Sequence, residues 1–348
     1  MSLLLLRRDV EKELVNQQQV AIRRWHLAAI GANASATRTI ATGVTLAACL
    51  LASSAAAQQP FRMPPPEVAQ PAPGGVRIAH DGLVANWYAA SRRAASRPPV
   101  VLLLGGSEGG IGAGAARQAA DLVAHGFAVL HLAYFGAPGL PSRLNLVPLE
   151  YFDRALAWIK RQPGIDPRRI SVVGASKGAE AALLVASRHP ELHAIVTGAP
   201  SAAVWPGIDF TGRDTGSSWT VRGKPLPYLR YGPAATSMFD GYKTGLATLP
   251  EHRDAAIPVT RIKAKVLLVC GRADTLWPSC PMAEQVQRAI GPKARVLAYD
   301  DAGHAVFGPP VQVSAAAYRS LGSLGGTAEG NNLARADAWP IILAFLTS

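Results

Sequence analysis

The chain lacks most of the signatures that would assign it a cofactor or a polymeric partner. It has three cysteines in 348 residues and no Cys/His cluster at metal-ligand spacing, so no metal or other cofactor is implied. No G-x-x-x-x-G-K-[ST] or G-x-G-x-x-G pattern occurs, which removes the common phosphate-binding loops. No internal repeat is visible, which removes solenoids and propellers. Acidic residues are outnumbered by basic ones, 23 to 35, for a formal charge of +12. The basic residues are mostly arginine, scattered without a dense run or interleaved aromatics. They read as a solvated surface, and no nucleic-acid partner is expected.

A long apolar run is missing too. Arg38 precedes the apolar stretch 39–51, and Ala55-Ala56-Ala57 follows. That stretch is short for a membrane span. A basic residue, a short apolar core and an A-x-A site describe a secretory signal. Cleavage after Ala57 and export to the periplasm are the expectation. A competing reading takes Leu46-Ala47-Ala48-Cys49 as a lipoprotein box, with Cys49 lipidated as the one route to a membrane anchor. The chain then divides into an N-terminal extension and signal (1–57), a Pro-rich linker (58–75) and a catalytic domain (76–348).

What the domain does contain is Gly174-Ala175-Ser176-Lys177-Gly178, a G-x-S-x-G sequence. The β-branched run Ile170-Ser171-Val172-Val173 precedes it, and the helix formers 179–186 follow. Strand, tight turn and helix are the context a nucleophile elbow requires. Glycine on either side leaves room for a strained serine. The turn places the Lys177 amide at a helix start, where backbone N–H groups lack partners.

A serine needs a base, and the base needs an orienting acid. Both follow in the order Ser, Asp, His. The strand run 266–271 ends at Arg272-Ala273-Asp274, and the strand run 295–299 opens into Asp300-Asp301-Ala302-Gly303-His304. Asp274 and His304 therefore lie past strand carboxyl ends, where catalytic groups gather in open α/β sheets. His125, His131, His189 and His193 read as helix-end, surface or core residues. Asp300 and Asp301 are too close to His304 to orient it. A second oxyanion donor is expected from the loop Gly105-Gly106-Ser107-Glu108 after strand 100–105, with Ser107 favoured and Glu108 or Gly106 as neighbours. Cys270 and Cys280 bracket Asp274; a disulfide or two separate buried thiols both fit.

Strands at 100–105, 128–133, 170–174, 194–198, 266–271 and 295–299 alternate with helices at 114–125, 149–161, 179–189 and 282–290. A hairpin around Asp81-Gly82 leads, and a helix at 335–346 closes the chain. This order predicts a mostly parallel sheet with helices on both faces, an α/β-hydrolase fold. From 199 to 261 the periodicity fails among Trp205, Trp219, Tyr228, Tyr231, Phe239 and Tyr242. That stretch reads as a lid or pocket insertion, with most single aromatics anchoring it to the core.

With these motifs placed, the chain resembles the C-terminal catalytic domain of acyl-CoA thioesterases and bile acid-CoA:amino acid N-acyltransferases. The resemblance rests on Gly174 to Glu180, Leu276-Trp277-Pro278-Ser279, Ala302-Gly303-His304, Gly325-Gly326-Thr327 and Ala336-Asp337-Ala338-Trp339-Pro340. It implies a nucleophile, acid and base at Ser176, Asp274 and His304, and a small acyl ester or thioester as substrate. Animal members carry a β-sandwich domain before the catalytic one. The stretch of about forty residues between Ala57 and the first core strand is too short for it. Amino-acid-transferring members use cysteine as nucleophile, so Ser176 points to water as acceptor. Export conflicts with coenzyme A, a cytoplasmic cofactor, and keeps an exported carboxylesterase or peptidase beside the thioesterase expectation. An acyl-CoA:amine acyltransferase and a non-catalytic binding protein are the remaining alternatives.

Overall fold

The structure is a computed structural model that describes residues 66–90, 97–208, 215–233 and 235–348. The signal-like segment, Cys49 and residues 58–65 of the Pro-rich stretch lie outside the described residues. Among the described residues the first elements are β1 (Gly75–Ile78) and β2 (Val84–Tyr88), a hairpin turning at Asp81-Gly82, both at positive φ. Then follow β3 (Val100–Leu104), α1 (Ala113–Ala124), β4 (Ala128–Ala133), β5 (Val147–Pro148), α2 (Glu150–Lys160), β6 (Ile170–Ala175), α3 (Lys177–Ala186) and β7 (Ala194–Gly198). After an irregular stretch carrying β8 (Trp219–Val221), β9 (Lys224–Pro225) and α4 (Met238–Ala247), the alternation resumes. It runs through β10 (Lys265–Gly271), α5 (Ser279–Ile290), β11 (Ala294–Tyr299), the short α6 (Ala316–Arg319) and α7 (Ala328–Thr347).

Eight strands form one sheet in the order β1-β2-β4-β3-β6-β7-β10-β11. β1 and β2 pair antiparallel with their neighbours, and every later pairing in this sheet is parallel. β3, β4 and β7 are buried along their whole length, as strands covered on both faces must be, and this is why they read as unbroken apolar runs. The pleat splits each run between two cores. Val100, Leu102 and Leu104 face Trp158 of α2, Leu183 of α3 and Met282 of α5. Val101 and Leu103 face Leu122 of α1 and Trp339 and Ile342 of α7. Helices thus cover both faces, as the alternation predicts.

Two elements differ from the sequence reading. α7 begins at Ala328 rather than near 335, because the Thr327 side chain caps it, accepting from Gly330 N–H at 2.8 Å. The apolar pattern is read only from about two turns later, which hides that cap. The aperiodic stretch 199–261 holds α4, capped by Ser237, and the strands β8 and β9, which join β5 from outside it in a small sheet. Trp205 and Trp219 within it are fully buried, so tertiary packing rather than local pattern orders it. Of the two readings open for Cys270 and Cys280, the structure holds the disulfide, across β10 and α5. Among the described residues no helix is long and apolar enough to cross a membrane.

Candidate active site

Ser176 occupies the turn between β6 and α3 at φ 56° and ψ −123°, a conformation that costs an L residue roughly 1–3 kcal/mol. The surroundings hold it there. A Cβ on Gly174 would collide with the Gly178 carbonyl, and one on Gly178 with the Gly105 carbonyl. Ser176 N–H donates to Gly198 O at 2.8 Å, fastening the elbow to the end of β7. Lys177 is the first residue of α3, so its amide faces outward with no turn behind it.

The three residues singled out from the sequence come together. His304 Nε2 lies 2.9 Å from Ser176 Oγ, and its Nδ1 lies 2.9 Å from Asp274 Oδ2. Asp274 is buried, and its Oδ1 accepts from the backbone N–H groups of Leu276 at 2.9 Å and Trp277 at 3.2 Å. Trp277, buried below, meets the His304 ring edge-on at 5.6 Å. The other histidines stand apart. His125 and His189 pair with Asp121 and Asp153 at helix ends. His131 is buried in β4 with neither ring nitrogen bonded, and burial pulls it down to about 4. Asp300 is exposed and faces Arg272.

Residues to which the sequence reading gave no role steady the loops that carry Asp274 and His304. Gly325 bridges Asp274, and Gly326 bridges Ala302. Both glycines have positive φ, and a Cβ on either would strike the facing backbone. Asn331 of α7, fully buried, accepts Gly303 N–H at 3.0 Å and donates to Gly325 O and Thr327 O. Arg335 Nε donates to Ala305 O at 2.7 Å, directly after His304, and burial lowers this guanidinium to about 10. Asn331 could have been flagged as an amide in a helix interior, where its low propensity calls for a partner.

The loop after β3 lies against the elbow: a Cβ on Gly106 would stand 3.2 Å from Ser176 Cβ. Its amides are not equivalent. Gly106 N–H donates to Glu108 Oε1 at 3.0 Å, and the Glu108 carboxyl also accepts its own backbone N–H. Burial pushes that carboxyl above the usual range. The Ser107 amide makes no hydrogen bond among the described residues.

Beneath the elbow, Lys177 Nζ and Glu180 Oε2 form a fully buried pair at 2.7 Å. Glu180 Oε1 also accepts from Trp219 Nε1 at 2.7 Å and Trp205 N–H at 3.1 Å. The pair therefore ties the 199–261 stretch to α3. Burial pushes Glu180 up and Lys177 down. Among the described residues no group of three or more His, Cys, Asp or Glu is placed to hold a metal ion.

Residues 147–348 match the family described as BAAT / Acyl-CoA thioester hydrolase C terminal. The chain is similar to the peroxisomal succinyl-coenzyme A thioesterase of Mus musculus, 29% identical over 255 residues, covering 68% of this chain and 57% of that one. It is similar also to acyl-coenzyme A thioesterase 1 of Homo sapiens, 27% identical over 252 residues, with the same coverage of 68% and 57%. The chain thus spans a little over half the length of these relatives. Among solved structures it resembles a putative dienelactone hydrolase from Klebsiella pneumoniae, with a TM-score of 0.50, 16% identity, and coverage of 79% of this chain and 98% of that one. A puromycin-hydrolyzing peptidase of Mycobacterium tuberculosis gives a TM-score of 0.51 at 14% identity, covering 78% of this chain and 38% of that one. At such identities the likeness is one of fold.

Proposed function

The chain belongs to the BAAT / acyl-CoA thioester hydrolase C-terminal family, and from that membership we propose that it is a serine hydrolase cleaving small acyl thioesters or esters, acyl-CoA-like thioesters foremost. The observation that carries this reading is the bonded line Ser176–His304–Asp274 on a strained elbow. Ser176 Oγ attacks the acyl carbon as His304 Nε2 takes its proton. Asp274 accepts His304 Nδ1–H, which fixes the tautomer and balances the imidazolium charge. The oxyanion that forms meets the backbone N–H groups of Lys177 and Ser107. Collapse breaks the bond to the thiolate or alkoxide, which leaves with the proton from His304. Water then attacks the acyl-enzyme, His304 takes its proton, and the acid departs as Ser176 Oγ is reprotonated.

The Cys270–Cys280 disulfide favours a second reading. Disulfides persist in oxidising compartments, and the signal-like segment before Ala57 points the same way. An exported protein would meet carboxylic esters rather than coenzyme A thioesters. One panel separates the two: acyl-CoAs and p-nitrophenyl esters of varied chain length, each with a Ser176→Ala control. Faster turnover of acyl-CoAs supports a thioesterase; ester turnover with little on acyl-CoA supports an exported carboxylesterase. In both cases Ser176→Ala is expected to lose roughly a thousandfold or more in kcat. A Ser176→Ala protein with near-normal turnover refutes the assignment.

A further inference from the structure

The loop 105–108 is held from two sides, and the holding leaves one amide over. Tyr134, fully buried in line with β4, donates its hydroxyl to Gly105 O at 2.8 Å and lies 3.1 Å from Gly106 O. Glu108 Oε1 accepts Gly106 N–H at 3.0 Å. A trans peptide points its C=O and N–H in opposite directions. The 105–106 peptide is therefore gripped at both ends, with its oxygen on Tyr134 and its N–H on Glu108. The 106–107 peptide is held only at its oxygen, which shares the same Tyr134 hydroxyl proton at 3.1 Å. Its other end, Ser107 N–H, is turned away from Tyr134 and bonds nothing among the described residues. This plane sits beside the nucleophile, since Gly106 faces Ser176 Cβ and Ala175 O.

We propose that Glu108, with Tyr134, is a positioning residue that clamps this loop so that Ser107 N–H is presented as the second oxyanion donor. The inference deepens the hydrolase reading and rests on it. Glu108 acts here through its acceptor oxygen, not its charge. Freed of Glu108, the Gly106 N–H competes for the space and the 106–107 plane rotates. A donor off its aim weakens stabilisation of the transition state while leaving ground-state binding in place.

The test compares Glu108→Ala, Glu108→Gln and Tyr134→Phe in the full chain, with the wild type and Ser176→Ala beside them. Steady-state hydrolysis of a p-nitrophenyl ester and the rate at which a fluorophosphonate labels Ser176 are both followed. Glu108→Ala and Tyr134→Phe are expected to lose about tenfold to a hundredfold in kcat with KM within about threefold. Labelling should slow in parallel. Glu108→Gln keeps an acceptor for Gly106 N–H and should stay within about threefold of the wild type. An unchanged Glu108→Ala kcat overturns the clamp. So does a Glu108→Gln protein as slow as Glu108→Ala, since charge acting on His304 would then be the cause. A loss confined to KM also counts against it. If the wild type neither turns over ester nor takes up the label, the hydrolase reading itself fails and the clamp falls with it.

Discussion

Gly178 shows how closely the elbow is built to a single atom. By helix propensity alone, Gly178→Ala near the start of α3 should stabilise the protein, by up to roughly 1 kcal/mol. Sterics give the opposite sign. The added Cβ would run into the Gly105 carbonyl and stand 2.7 Å from Leu104 O, and both belong to backbone that leads into the 105–108 loop. Backbone cannot step aside as a flexible side chain can. The Gly178→Ala protein is therefore expected to melt several degrees lower and to lose at least about tenfold in kcat, because α3 and the 105–108 loop are pushed apart. Thermal unfolding and ester turnover on the same preparation check this. Equal or higher Tm with full activity would mean that the helix, not the loop, decides this position.

At the scale of elements, the Lys177–Glu180 pair is the joint between α3 and the stretch 199–261. Removing one partner of a buried pair strands the other charge, at a cost of about 3–5 kcal/mol. Glu180→Ala also orphans Trp219 Nε1 and Trp205 N–H. Urea unfolding should place Glu180→Ala about 3 kcal/mol or more below the wild type. The double variant Lys177→Met/Glu180→Ala should recover part of that loss, since the stranded ammonium is gone. A double variant no better than Glu180→Ala argues that the two tryptophan bonds, not the charge pair, make the joint. This joint also marks the limit of what the sequence discloses. The strands β3, β4, β6, β7 and β10 announce themselves as apolar runs, because each is buried on both faces. Ser176, Asp274 and His304 stand out because the fold puts each just past a strand end. Glu180 and Trp219 lie 39 residues apart, and nothing periodic joins them. The roles of the Asn331 and Glu108 side chains escape for the same reason. Each acts through hydrogen bonds to backbone distant in sequence or hidden in a turn, and a side chain's type does not say which carbonyl or amide it will meet.

Over the whole molecule, burial of titratable groups sets how stability responds to acid. His131 lies fully buried in β4, next to Asn86 across the β2 pairing. Burial, reinforced by the nearby Arg77 charge, pulls it from its ordinary 6.5 down to about 4. Below pH 6.5 the unfolded chain takes up a proton there that the folded chain refuses. The stability gained by keeping His131 neutral is thus complete above pH 6.5 and drains away as pH falls toward 4, by about 3 kcal/mol in all. Glu108 and Glu180 carry the opposite sign. Burial raises both, so acid relieves them and partly masks the histidine's effect in the wild type. The difference between two proteins isolates it. With urea midpoints taken from pH 7.5 to 4, the gap between wild type and His131→Leu should shift by about 3 kcal/mol in favour of the variant as pH falls, since both share the glutamates and only the wild type has the histidine to charge. Parallel curves across that range would show that His131 takes up its proton in the folded sheet as readily as in the open chain, and that the buried strand admits a counter-charge or water where the packing leaves both ring nitrogens bare.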